Sequence, residues 1–189
     1  MELDETTLSG SEIETLARKI DRPIVLVGMM GVGKSSIGRK LSGLLHLPFV
    51  DADEAIETAA QMSIAEMFER FGEPYFRDGE RRVIARLVDG ERKIIATGGG
   101  AFVNEETRKL ILERAVAVWL HTDIDVLVDR VTRKDNRPLL RGGDPREILK
   151  RLHDEREPLY SQAPIHVQSS SGPQGKTVNK VLKGLAEWL

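Results

Sequence analysis

The chain contains no cysteine, which excludes disulfide bonds, thiolate metal sites and a cysteine nucleophile. It has no long hydrophobic run either. The longest apolar-looking stretch, Pro23 to Val32, is broken by Gly28 and Gly31 and falls far short of the roughly 20 residues that span a bilayer. The opening MELDETTLSG is acidic and polar, where a secretory signal has a basic start and an apolar stretch. A cytoplasmic protein with no membrane segment is expected. Neither sign of charge dominates: 28 Lys and Arg face 30 Asp and Glu, a formal net charge of -2, which argues against a chain held on nucleic acid by phosphate neutralisation. Internal repeats and low-complexity tracts are missing, and His46, His121, His153 and His166 show no metal-ligand spacing.

What is present fits one domain with a short addition. The 189 residues are 40% hydrophobic and 31% charged, enough apolar matter for a core and too much for a disordered chain. Short Ile- and Val-rich runs at 24–27, 48–51, 93–96, 116–120 and 165–168 are each bounded by Gly, Pro, Asp or Ser and read as strands. Between them, residues 35–45, 63–71, 75–87, 104–114 and 123–131 carry apolar side chains at helical spacing. Alternation of this kind predicts an α/β fold with parallel strands joined by helical crossovers. Ser63 with Glu66 forms a capping box, and Asn104 and Asp123 are candidate N-caps. A last helix over 176–188 presents Val178, Val181, Leu182, Leu185 and Trp188 on one face. Residues 1–22 form an extension whose helix starts from a second box, Ser11 with Glu14. Residues 132–143, TRKDNRPLLRGG, read as a cationic flap. Trp119 and Trp188 are expected in the core.

The strongest chemical signal is GMMGVGKS, Gly28 to Ser35, which satisfies G-x-x-x-x-G-K-[ST] between a strand and a helix. Glycines there let the backbone wrap phosphate oxygens, the helix start offers free N–H groups, Lys34 reaches the β and γ phosphates, and Ser35 can ligate Mg²⁺. A nucleoside triphosphate site follows. FVDAD places Asp51 and Asp53 at the carboxyl end of the second strand, the edge where parallel sheets bind ligands. If that strand lies beside the first, one carboxylate can serve the metal and the other the acceptor; alternatively Asp53 merely caps the next helix. The third strand runs into Gly98, Gly99 and Gly100, which offer backbone alone. It ends in Ala96 and Thr97, so the acidic metal-ordering residue of many phosphate-loop ATPases is missing there and Asp51 is the substitute. Arg77, Arg130, Arg133, Arg137, Arg141 and Arg156 complete the set. Converging arginines would suit an anionic co-substrate, although each alone could be a surface ion pair.

In this order and at these separations, GMMGVGKS, FVDAD, the FR of EPYFRDGE, TGGGAF, RVTRKDNRPLL and EREPLY resemble the shikimate kinases, over residues 23–189. The resemblance implies a nucleoside-monophosphate-kinase-like three-layer fold: a five-stranded parallel sheet in order 2-3-1-4-5, helices on both faces, and a lid at about 132–143. It implies transfer of the ATP γ-phosphoryl group to the 3-hydroxyl of shikimate, in chorismate and aromatic amino-acid synthesis, with Mg²⁺ as cofactor. Gly31, Val32, Gly33, Lys34, Ser35, Ser36, Arg130 and Arg137 would then bind ATP, and Ser35 and Asp51 the metal. Asp53, Arg77, Gly98, Gly99, Gly100 and Arg156 would bind shikimate. Lys34, Asp53 and Arg137 would be catalytic. The expected partners are these small molecules alone, with no nucleic acid and a monomeric chain.

Two other readings use the same residues. A gluconate kinase would share the phosphate loop and lid. A GTP switch would carry N-K-x-D, which TRKD at 132–135 fails at its second position. Nor are there aromatic residues in 130–156 for stacking nucleic-acid bases.

Overall fold

Ile24, Val25, Leu26 and Val27 have apolar side chains on both faces, and such a strand is stable only when both faces are covered. A computed structural model, which describes residues 7–133, 140 and 142–189, places this segment, β1 (Ile24–Val27), at the centre of a parallel sheet. Its companions are β2 (Phe49–Asp51), β3 (Ile94–Ala96), β4 (Val116–His121) and β5 (Ile165–Gln168), in the order β2-β3-β1-β4-β5. Ile24 pairs with both Ile94 and Val116, and Phe49 pairs with Ile94. The central strands are buried but for His121 at the end of β4, whereas β5 alternates buried Ile165 and Val167 with exposed His166 and Gln168, as an outer strand does.

The helices are α1 (Gly10–Lys19), α2 (Lys34–Leu45), α3 (Ala52–Ala60), α4 (Ile64–Phe71), α5 (Glu73–Val88), α6 (Glu105–Arg114), α7 (Ile124–Thr132), α8 (Pro145–Tyr160) and α9 (Gln174–Trp188). α2 and α9 pack on each other and against strands, and α1 packs on both. α5, α6 and α8 gather round the 3-10 turn Ala101–Val103. One apolar core runs from Leu16 and Ile20 through the sheet to Leu185; a second, smaller one of Ile56, Met67, Phe76 and Val83 holds α3, α4 and α5 together.

Several local expectations need correction. The capping box of α1 is Ser9 with Glu12, not Ser11 with Glu14; SGSEIE contains both spacings, and Ser9 is the residue with extended backbone ahead of the helix. Ser63 and Asn104 cap as expected, while Asp123 stands at the N-cap of α7 without a side-chain bond. Trp119 is buried, but Trp188 is 39% exposed beneath the Arg22 guanidinium. α8 is a helix that periodicity did not reveal. Its inward stripe, Leu149, Leu152, Arg156 and Tyr160, is interrupted by a charge, and Pro158 sits in its last turn. The strand order is the one the resemblance implies: β2 lies beside β3, so the two aspartates reach the phosphate loop across the end of an intervening strand.

Candidate active site

The phosphate loop leaves β1 at Gly28, whose φ of 140° and close approach to the Leu120 carbonyl leave no place for a side chain. The helix it enters, α2, has Gly33 at its N-cap and no side chain bonded to its first turn, so its leading N–H groups point at the loop cavity. Lys34 is buried and donates from Nζ to the carbonyls of Gly28 and Met29 at 2.7 and 2.8 Å, which keeps its charge within the loop. Val32 and Gly31 accept through their carbonyls from Arg130 Nη1, and Arg130 Nη2 donates to Ser170 O. Arg130 thereby ties the phosphate loop to the segment after β5.

Ser35 Oγ donates to Asp51 Oδ2 at 2.7 Å. The other Asp51 oxygen accepts from the backbone N–H of Asp53 and of Glu54, so Asp51, not Asp53, caps α3. Among the described residues no group of three or more acidic or imidazole side chains forms a metal cage. One hydroxyl and one carboxylate side by side fit Mg²⁺, which takes few protein ligands and fills its octahedron with phosphate oxygens and water.

Capped in this way, α3 starts one residue past the sheet and turns Asp53 into a cavity of about 510 Å³. Its walls include Met30 from the phosphate loop, Asp53 and Glu57 from α3, Phe68 from α4, Phe76, Arg77 and Glu80 from α5, Gly98 to Gly100, and Arg156 from α8. The residues read separately from the sequence as Asp53, Arg77, Gly98, Gly99, Gly100 and Arg156 therefore meet in one place. Burial raises the Asp53 carboxyl above the usual aspartate range; Asp51 and Glu57 reinforce this, and Lys34 and Arg77 oppose it.

Arg77 donates from Nη1 to Glu80 Oε1 at 2.8 Å and from Nε to Glu73 Oε1 at 3.3 Å. Glu80 is almost fully buried, and burial lifts its carboxyl despite the opposing Arg77 charge. A side chain on Gly100 would come within 2.5 Å of the Arg77 guanidinium, and one on Gly98 within 2.9 Å of Asp53 Oδ1. Gly98 and Gly100 therefore make room for the ligand-facing groups of α3 and α5.

Arg156 stands between Glu155 and Glu157 in the sequence, yet it is 8% exposed and its buried Nη1 has no hydrogen-bond partner. A buried, unsatisfied guanidinium nitrogen in the wall of a cavity is suited to an anionic ligand. Thr97, at the end of β3, bonds Leu26 O through its hydroxyl and supplies no carboxylate. Sequence reasoning assigned no site role to Glu57, Phe68, Phe76 or Glu80; only the helical spacing of Glu57 from Asp53 and of Glu80 from Arg77 hinted that they share a face. Arg133 is exposed and paired with Asp129. Arg137 and Arg141 lie outside the described residues, as does most of the expected lid.

Comparison with known proteins shows the family and the fold. The family model described as "Shikimate kinase" matches residues 30–186. A protein of Novosphingobium aromaticivorans named shikimate kinase is 62% identical, with 100% of each chain covered. Among solved structures, shikimate kinase from Acinetobacter baumannii in complex with shikimate superposes with a TM-score of 0.82 at 31% identity, covering 95% of this chain and 96% of that one. A gluconokinase from Sinorhizobium meliloti shares the fold, with a TM-score of 0.62 at 18% identity over 89% and 93% of the two chains.

Proposed function

The chain belongs to the shikimate kinase family and phosphorylates shikimate with ATP, and we propose that Lys34, Asp53 and Arg137 are the catalytic residues of this transfer to the 3-hydroxyl. The observation that carries the reading is the buried, unpartnered Arg156 Nη1 in the cavity shared by Asp53 and Arg77. A small ring with one carboxylate and several hydroxyls satisfies that set, because guanidinium forks match carboxylates and a carboxylate accepts from hydroxyls.

In the proposed step, Arg77 and Arg156 hold the substrate carboxylate and Asp53 accepts a hydrogen bond from the 3-hydroxyl. That oxygen attacks the γ-phosphorus while the bond to the β–γ bridging oxygen breaks, ADP leaves, and the hydroxyl proton passes to Asp53. A carboxyl raised by burial is a better base for this role than an exposed aspartate. Lys34 and Arg137 neutralise charge on the transferring group, as phosphoryl transfer chiefly requires. The starting N–H groups of α2 and the loop from Gly31 to Ser36 hold the phosphates, and Arg130 shapes the nucleotide end. Mg²⁺, which Ser35 and Asp51 would hold, supplies further charge neutralisation at the phosphates.

Residues 23–189 serve as the catalytic domain, with 1–22 as an N-terminal extension and a lid at about 132–143. We read the protein as a cytoplasmic monomer acting on small molecules and not on nucleic acid; among the described residues no helix is long and apolar enough to cross a membrane. ADP release with Mg²⁺-ATP, measured with shikimate, gluconate or nucleoside monophosphates, tests the proposal. Strong stimulation by shikimate alone is expected, and stimulation by another acceptor instead would overturn it.

A further inference from the structure

The turn formed by Gly98, Gly99 and Gly100 lies against four charged groups of the acceptor cavity, Asp53, Glu80, Arg77 and Arg156. Side chains built on Gly98, Gly99 and Gly100 would meet Asp53 and Glu80, Arg156, and Arg77 respectively. Glycines supply no side chain to hold such a turn still, so its position depends on where its carbonyls are bonded. Two are bonded within the turn: Ala101 N–H donates to Gly98 O, and Val103 N–H to Gly100 O. The third, Gly99 O, accepts from the hydroxyl of Tyr160.

Tyr160 stands one helical turn after Arg156 on α8, so the two side chains leave the same face. Arg156 enters the cavity, and Tyr160 passes behind the glycine turn, 1% exposed, with its ring stacked near those of Phe102 and Trp119. A Cβ on Gly99 would lie 3.4 Å from Arg156 Nη1 and 3.3 Å from the Met30 backbone nitrogen. The residue that fixes the turn is thus carried by the helix that supplies one of the substrate arginines. Burial raises the Tyr160 phenol above its usual range, which keeps it a neutral donor.

We propose that Tyr160 is a positioning residue for shikimate: its bond to Gly99 O locks the glycine turn to α8 and sets the spacing of Arg156 against Asp53 and Arg77. Without the hydroxyl, half-buried Gly99 loses the bond described for its carbonyl, and the turn can relax by moving toward or away from the arginines. The nucleotide half of the site shares no bond with Tyr160 among those described. The loss therefore falls on the acceptor.

The inference rests on the shikimate-binding assignment of Gly98–Gly100 and Arg156, and the wild-type chain separates the two: without shikimate-dependent ADP release in the wild type, the proposed function fails first. Given that activity, Tyr160→Phe keeps the ring and is expected to raise shikimate KM by about tenfold, a hydrogen-bond-sized effect, with ATP KM changed less than about twofold. An unchanged shikimate KM would overturn the proposal, as would equal rises in both KM values together with a lower Tm, since these indicate general loosening. The sequence has only two tyrosines, which permits a second measurement that requires no change at Tyr160. In the wild-type chain labelled with 3-fluorotyrosine and assigned with Tyr75→Phe, shikimate should shift the Tyr160 fluorine resonance and ADP should leave it in place. A Tyr160 resonance indifferent to shikimate would count against the role.

Discussion

The hydroxyl of Ser35 and the carboxylate of Asp51, 16 residues apart in sequence, meet at 2.7 Å, while the second oxygen of the same carboxylate caps α3. One aspartate therefore links the start of the helix after the phosphate loop to the start of the helix that carries Asp53.

That double use separates two substitutions. Asp51→Asn keeps a capping oxygen, so Tm should stay close to wild type while the Mg²⁺ concentration for half-maximal activity rises severalfold. Asp51→Ala should show the same rise and also lose about 1 kcal/mol of stability, the usual worth of an N-cap. Magnesium titrations beside thermal melts check both.

Asp53→Asn should abolish turnover and yet raise Tm at pH 7. The Asp53 pKa is raised on folding, by burial first and Asp51 second, so the folded chain holds this proton more tightly than the unfolded one and ionisation works against folding. The stability gain from Asn should be full above the raised value. It should shrink as pH falls through that value and vanish below the ordinary aspartate range. Melts of both proteins across the acid range provide the comparison.

Arg77→Ala should raise shikimate KM strongly with little effect on ATP. It also strands Glu80, which is 3% exposed in its side chain and bonded to Arg77 at 2.8 Å, so stability should fall by about 3 kcal/mol. Adding Glu80→Gln should return part of the Tm and none of the KM, because only the stability loss comes from the uncompensated charge.

Lys34→Met should reduce kcat by at least about a hundredfold, the scale of losing one preorganised charge at a transition state, with the fold retained because Met preserves most of the buried side-chain volume. Single-turnover rates with saturating shikimate would show this directly.

Leu16→Ala tests the N-terminal helix. Leu16 and Ile20 belong to the main core, and Arg92 donates to the carbonyls of Ala17 and Ile20. A loss of about 2–3 kcal/mol is expected from the cavity, with kinetic constants unchanged in the protein that remains folded. Chemical denaturation and steady-state assays at low temperature separate the two effects.

Where the sequence was readable, a short-range rule was at work. Four-residue apolar runs between turn residues located the strands, and GMMGVGKS located the loop, because both patterns depend on neighbours within a few positions. Where it misled, two local options competed: SGSEIE offers two capping boxes, and FVDAD offers two aspartates for one cap. α8 escaped notice for a functional reason, since its buried stripe contains Arg156, and a charge in the stripe erases the periodic signal.

By itself the sequence determined an α/β chain with parallel strands and a phosphate loop, and through its ordered motifs the resemblance to the shikimate kinases, since these depend on residue type and spacing. Only the tertiary structure decided that Arg156 is buried with its Nη1 unbonded while Arg133 is a solvated ion pair, that Glu80 sits beneath Arg77, and that Tyr160 reaches Gly99 from 61 residues away. The physical reason is that burial and partner choice depend on which elements the sheet order brings together. An arginine has the same local propensity whether its helix turns it toward water or toward a cavity.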